Sequence, residues 1–101
     1  MSGNEKTIVW DKEALHQLKE AYFYLREKSP TAAKKVRNTL LEEVRKLALH
    51  PEIYELDPLK TKNDGSYRAF VRFHFRVAYQ VKATQVRILR IRHSSREPDQ
   101  Y

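Results

Sequence analysis

The stretch Tyr67-Arg68-Ala69-Phe70-Val71-Arg72-Phe73-His74-Phe75-Arg76-Val77-Ala78-Tyr79-Gln80-Val81 decides the fold of this chain. Its apolar residues recur at every second position, the period of a β-strand. Tyr67, Ala69, Val71 and Phe73 fall on one face, and Arg68, Phe70, Arg72 and His74 on the other. Phe75, Val77, Tyr79 and Val81 alternate again, against Arg76, Ala78 and Gln80. Lys82-Ala83-Thr84-Gln85 reads as a hairpin turn, and Val86 to His93 as a last strand. There Leu89 and Ile91 fall opposite Val86 and Ile88, a pattern that predicts a central strand covered on both sides.

Upstream the period lengthens. Leu15, Leu18, Tyr22 and Leu25 form one stripe of an amphipathic helix from about Lys12 to Lys28, with Asp11 at its N-cap. Ser29-Pro30 restarts the chain, because serine suits an N-cap and proline the first helical position. Ala33, Val36, Leu40, Val44 and Leu47 then mark a second helix running to about Leu49, which His50-Pro51 ends. Helices joined so tightly make an antiparallel hairpin. Thr7-Ile8-Val9-Trp10 is a short β-prone run, predicted as an edge strand. Residues 51–65 are irregular and close on the turn signal Asn63-Asp64-Gly65. The predicted fold is α+β in the order β-α-α-β-β-β. The helix hairpin covers one face of a small, mainly antiparallel sheet. It forms one domain over residues 7–93, followed by a polar tail, 94–101. Arg68, Phe70, Arg72 and Arg76, with Arg87 or Arg90, are expected on the sheet's uncovered face.

Charge is concentrated in the same region. From Ser66 to Tyr101 there are eight basic residues against two acidic ones, a net +6. Residues 1–65 carry twelve against eleven, a net +1. Arginines fixed in rows on a sheet suit a polyanion. The chain has no cysteine, and His16, His50, His74 and His93 show no metal-ligand spacing, so neither metal nor cofactor is expected. The polar N-terminus has no apolar leader, and no segment approaches the roughly 20 apolar residues of a membrane span. A cytoplasmic protein without membrane contact is the expectation.

Four pieces in this order carry a resemblance. They are Leu47-Ala48-Leu49-His50-Pro51 at the helix end, Gly65-Ser66-Tyr67-Arg68 at the strand opening, Phe75-Arg76-Val77-Ala78-Tyr79-Gln80-Val81, and the close Ile88-Leu89-Arg90-Ile91-Arg92-His93. Over roughly residues 7–101 the chain resembles the RelE/ParE superfamily of toxins from type II toxin–antitoxin pairs. The resemblance implies a toxin neutralised by a cognate antitoxin through that protein's acidic C-terminal segment. It also implies one of two outputs. RelE-like members cleave messenger RNA in the ribosomal A site, without a metal. ParE-like members inhibit DNA gyrase without chemistry of their own.

On the RelE-like reading the resemblance assigns catalytic roles to Arg68, Arg76, His93, Arg96 and Tyr101. Arg76 would contact the scissile phosphate, and His93, Arg96 and Tyr101 fall where the last catalytic groups arise. Tyr101 aligns with the family tyrosine only with one residue inserted in the tail. Phe70 stands where RelE-like enzymes often carry a second basic residue, and the long helices look more ParE-like. Phe70, Arg72, Arg87 and Arg90 are candidates for binding nucleic acid or antitoxin. Phe70 would either stack on a base or seat an antitoxin segment. Without the resemblance, the alternative is a small basic nucleic-acid-binding domain.

Overall fold

The computed structural model describes residues 5–95 and 99–101. Its elements are β1 (Thr7–Trp10), α1 (Lys12–Lys28), α2 (Pro30–Lys46), β2 (Tyr67–Arg72), β3 (Phe75–Val81) and β4 (Gln85–His93), which is the predicted order. The strands form one sheet in the order β1-β4-β3-β2. β4 pairs antiparallel with β3 and parallel with β1, and β2 pairs antiparallel with β3.

The helix joint forms as its residues dictate. The Ser29 side chain accepts the Ala32 N–H at 3.2 Å, and Pro30 follows at the first helical position. Asp11 occupies the N-cap of α1, yet its side chain makes no capping bond. α2 stops at Lys46, earlier than predicted. The amides of Leu47, Ala48 and Leu49 bond three residues back, to Val44, Arg45 and Lys46, and so tighten the last turn. The α2 stripe is as read, with Ala33, Leu40, Val44 and Leu47 buried. On α1 the buried residues are Ala14 and Leu18, while Leu15 is exposed. The stripe therefore runs through Ala14, Leu18, Ala21 and Leu25.

One turn inverts the predicted sheet faces. Phe73 and His74 form a two-residue loop, so Arg72 pairs with Phe75, Phe70 with Val77 and Arg68 with Tyr79. Cross-strand partners point the same way. The even-numbered residues of β2 thus share a face with the odd-numbered residues of β3. That is the core face, where Phe70, Phe75, Val77, Tyr79, Val86, Ile88 and Ile91 meet Ala14, Leu18, Leu40, Val44 and Leu47. The expectation that Phe70 lies on the uncovered face is corrected. It is buried and stacks on Tyr54 with ring centroids 4.7 Å apart. Arg68 and Arg72 likewise leave from the helix side.

β4 is the central strand that its apolar residues suggested, but a bulge causes the broken alternation. Ala78 lies opposite Arg90 and Tyr79 opposite Ile88, leaving Leu89 as the extra residue. The bulge returns Ile91 to the face of Val86 and Ile88.

Candidate functional site

The outer face, opposite the helices, collects arginines from the two central strands. Register sets Arg76 beside Arg92, Ala78 beside Arg90 and Gln80 beside Arg87. Arg76 pairs with Asp57, a carboxylate only 2% exposed that arises from the irregular loop. Arg87 Nε lies 2.6 Å from an Asp11 oxygen, so the aspartate that makes no capping bond on its helix meets this arginine instead. Arg92 lies 3.0 Å from the Asp99 carboxylate. Arg90 donates to the Asp99 carbonyl at 2.6 Å, and its guanidinium sits 4.2 Å from the centre of the Tyr101 ring.

Tyr101 fastens the described end of the tail to this face. Its N–H donates to the Leu59 carbonyl at 3.0 Å, and its own carbonyl accepts the Thr61 N–H at 2.6 Å. Its hydroxyl donates to Asp57 Oδ2 at 2.6 Å. Asp57 also accepts the Leu59 N–H at 3.0 Å. Burial raises the Asp57 carboxyl pKa, but the bonds from Tyr101, Leu59 and Arg76 outweigh it and hold the group below the usual carboxylate range. Burial and the bond to Asp57 push the Tyr101 phenol up. At neutral pH Tyr101 is therefore a neutral donor to a fixed anion. Lys60 completes the cluster, its ammonium 4.6 Å from the Tyr67 ring centre and 5.3 Å from that of Tyr101.

The helix side carries a second network. Arg68 donates to the Tyr54 carbonyl at 2.6 Å. Arg72 lies 3.6 Å from Glu43, a mostly buried carboxylate on α2 that also takes Lys46 at 3.2 Å and the Tyr54 hydroxyl. The Tyr54 bond leads the effects that lower the Glu43 pKa. Burial first, and then this bond, push the Tyr54 phenol up to about 12. His93 pairs with Phe75 across the strands, so it too faces the helix side. Its Nδ1 sits 2.6 Å from the Ser95 hydroxyl, and its ring lines a cavity of about 560 Å³ with Gln17, Tyr24 and Ile91.

The residues assigned to catalysis do not converge. Arg68 and His93 leave the sheet on the helix side, and Arg76 and Tyr101 occupy the outer side. Arg96 lies outside the described residues. Of the binding candidates, Arg87 and Arg90 share the outer face, whereas Arg72 joins the helix-side network and Phe70 the core. Sequence reading missed Asp57, Glu43, Asp11 and Asp99, the acids that meet the arginines. One signal was present: Asp57 shares its loop with Tyr54, which packs against the core, although Leu56 beside it is exposed. Among the described residues, no group of three or more histidines and acids could hold a metal ion.

A family model described as ParE toxin of type II toxin–antitoxin system, parDE, matches residues 8–98. The chain belongs to the ParE toxin family. A solved structure titled as the chromosomal ParDE TA system from P. aeruginosa has the same fold, with a TM-score of 0.70 and 22% identity. The match covers 90% of this chain and 98% of that one. A search of curated proteins found no match. As a ParE-family toxin of a type II system the chain has an antitoxin partner. Among the described residues of this ParE-family toxin, no helix is long and apolar enough to cross a membrane.

Proposed function

We propose that this ParE-family toxin arrests growth by binding a protein target, DNA gyrase, and cuts no RNA itself. RNA cleavage through the 2′-hydroxyl needs a base, a cation for the phosphorane and an acid for the leaving oxygen, all within reach of one phosphate. The observation that carries the proposal is the separation of those candidates. The sheet stands between Arg68 and His93 on one side and Arg76 and Tyr101 on the other. Arg76 and Tyr101 are also engaged with each other's partner, Asp57, which leaves neither free for a phosphate. A toxin that acts by contact needs no such constellation.

A cognate antitoxin neutralises the toxin on this reading. Its acidic segment is drawn to a chain of net charge +7 that keeps Arg72 and Arg87 about half exposed. With gyrase as target, the site of action is the cytoplasm. The test pairs a supercoiling assay on purified gyrase with a translation extract in which message integrity is followed. Blocked supercoiling with intact message is expected. Cleaved message with normal supercoiling overturns the reading.

A further inference from the structure

The β2–β3 turn is built from unusual residues. A two-residue hairpin loop with positive φ at both positions is normally Asn-Gly, Asp-Gly or Gly-Gly, because a Cβ crowds the backbone there. This toxin has Phe73 at φ 52° and His74 at φ 68°. Strain at a bulky residue persists where the surrounding structure enforces it, and such sites cluster where side chains act on partners.

The tip is enforced from several directions. Ser94 N–H donates to the His74 carbonyl at 2.5 Å, and the His74 ring stacks on His93 with centroids 6.1 Å apart. Arg72, the residue before the turn, reaches Glu43 on α2 and lies 5.9 Å from the Phe73 ring centre. Phe73 itself is left 40% exposed. No described ring stacks on it, whereas its near neighbour Phe70 lies against Tyr54. The fold thus holds a large aromatic at a hairpin tip and keeps it out of the core.

We propose that Phe73, presented by the strained turn with Arg72 beside it, is the anchor with which this toxin docks on its protein target. The inference rests on the reading that the toxin acts by binding a protein. A rigid aromatic loses little entropy on burial, and aromatic and arginine side chains dominate interface energetics. The occupant follows from charge. Arg72, paired on one side with Glu43 at 3.6 Å, keeps half of its side chain exposed beside the ring, and the chain carries a net +7. The partner is a protein surface with an apolar pocket for Phe73 and carboxylates on its rim for Arg72.

The test is the double substitution Phe73→Asn with His74→Gly, which installs the residues the turn prefers. Phe73→Ala alone serves as a second variant that removes the ring. Thermal unfolding, growth arrest on induction and inhibition of purified gyrase are measured together. The double variant is expected to raise Tm by roughly 5 °C. Growth arrest should be lost, and half-inhibition of gyrase should need at least about tenfold more toxin, as for loss of one central aromatic contact. Full growth arrest by both variants overturns the proposal. Lost arrest with a lowered Tm in the double variant also overturns it, since the pair would then serve the fold. A wild-type dimer that the variants dissolve would make the occupant a second copy. Binding of a single-stranded RNA that the variants lose would make it nucleic acid. Either outcome overturns the assignment. If wild-type toxin arrests growth but leaves gyrase active, the gyrase reading falls, and growth arrest by the variants still decides the role of the tip.

Discussion

Tyr101 and Asp57, forty-four positions apart, share a 2.6 Å hydrogen bond in which the phenol donates and the carboxylate accepts. The same carboxylate takes Arg76 from the middle strand. Tail, loop and sheet are therefore tied at one buried anion. Arg76 and Tyr101, two of the residues that the resemblance assigns to catalysis, are held in this knot, and that bears on what each substitution should do.

Asp57→Ala removes the anion and leaves the mostly buried Arg76 uncompensated. Breaking a buried pair in this way costs about 3 kcal/mol. For a chain of this size the loss corresponds to roughly 15 °C in Tm. Thermal and urea unfolding check it. A shift under a few degrees would show that the knot contributes little.

Tyr101→Phe keeps the ring over Arg90 and removes only the hydroxyl. Losing a hydrogen bond to a charged group costs about 1.5 kcal/mol. The variant should unfold earlier and still arrest growth at temperatures where it is folded. If a folded Tyr101→Phe protein were inactive, tyrosine-dependent RNA cleavage would be restored as the reading.

Acid should unfold the protein through two carboxylates. Asp57 and Glu43 both have folded pKa values held below their ordinary range. A depressed carboxylate pKa contributes stability above the unfolded value, about 4. That stability is lost as pH falls through the folded value. The urea midpoint should hold steady from neutral pH to about pH 5 and drop below about pH 4. Asp57→Asn and Glu43→Gln should each flatten that drop while lowering the neutral plateau.

Alkali should act through the tyrosines. Burial, the largest cause at each, raises the phenols of Tyr54, Tyr79 and Tyr101, three of the six tyrosines, and Tyr54 reaches about 12. A raised folded pKa gives stability that is complete below the unfolded value, about 10. It is lost as pH rises through the folded one. Phenolate absorbance from these three tyrosines should appear together with the loss of tertiary circular dichroism. Their ionisation in a still-folded protein would contradict the burial that the structure gives them.

Much of the architecture was legible. Leu40, Val44 and Leu47 announced the buried side of α2, and Ser29-Pro30 its start, because helix period and capping are local properties of the chain. Leu15 misled because it is the larger residue, while the buried position fell to Ala14. The turn at Phe73-His74 gave no warning, since neither residue is one that positive φ favours.

The candidate site was legible only as a list. Sequence alone determined the element order, the strand-rich arginine region and the resemblance to toxins, all of which rest on patterns between near neighbours. Tertiary structure decided where those arginines point. A two-residue turn pairs Arg72 with Phe75, reversing the faces of β2 and sending Phe70 inward. It also decided what the arginines meet. Asp11, Glu43 and Asp57 come from the nearly neutral part of the chain and are brought to Arg87, Arg72 and Arg76 by the fold. Charge summed along a sequence cannot show this compensation, because electrostatic partners are chosen by distance in space.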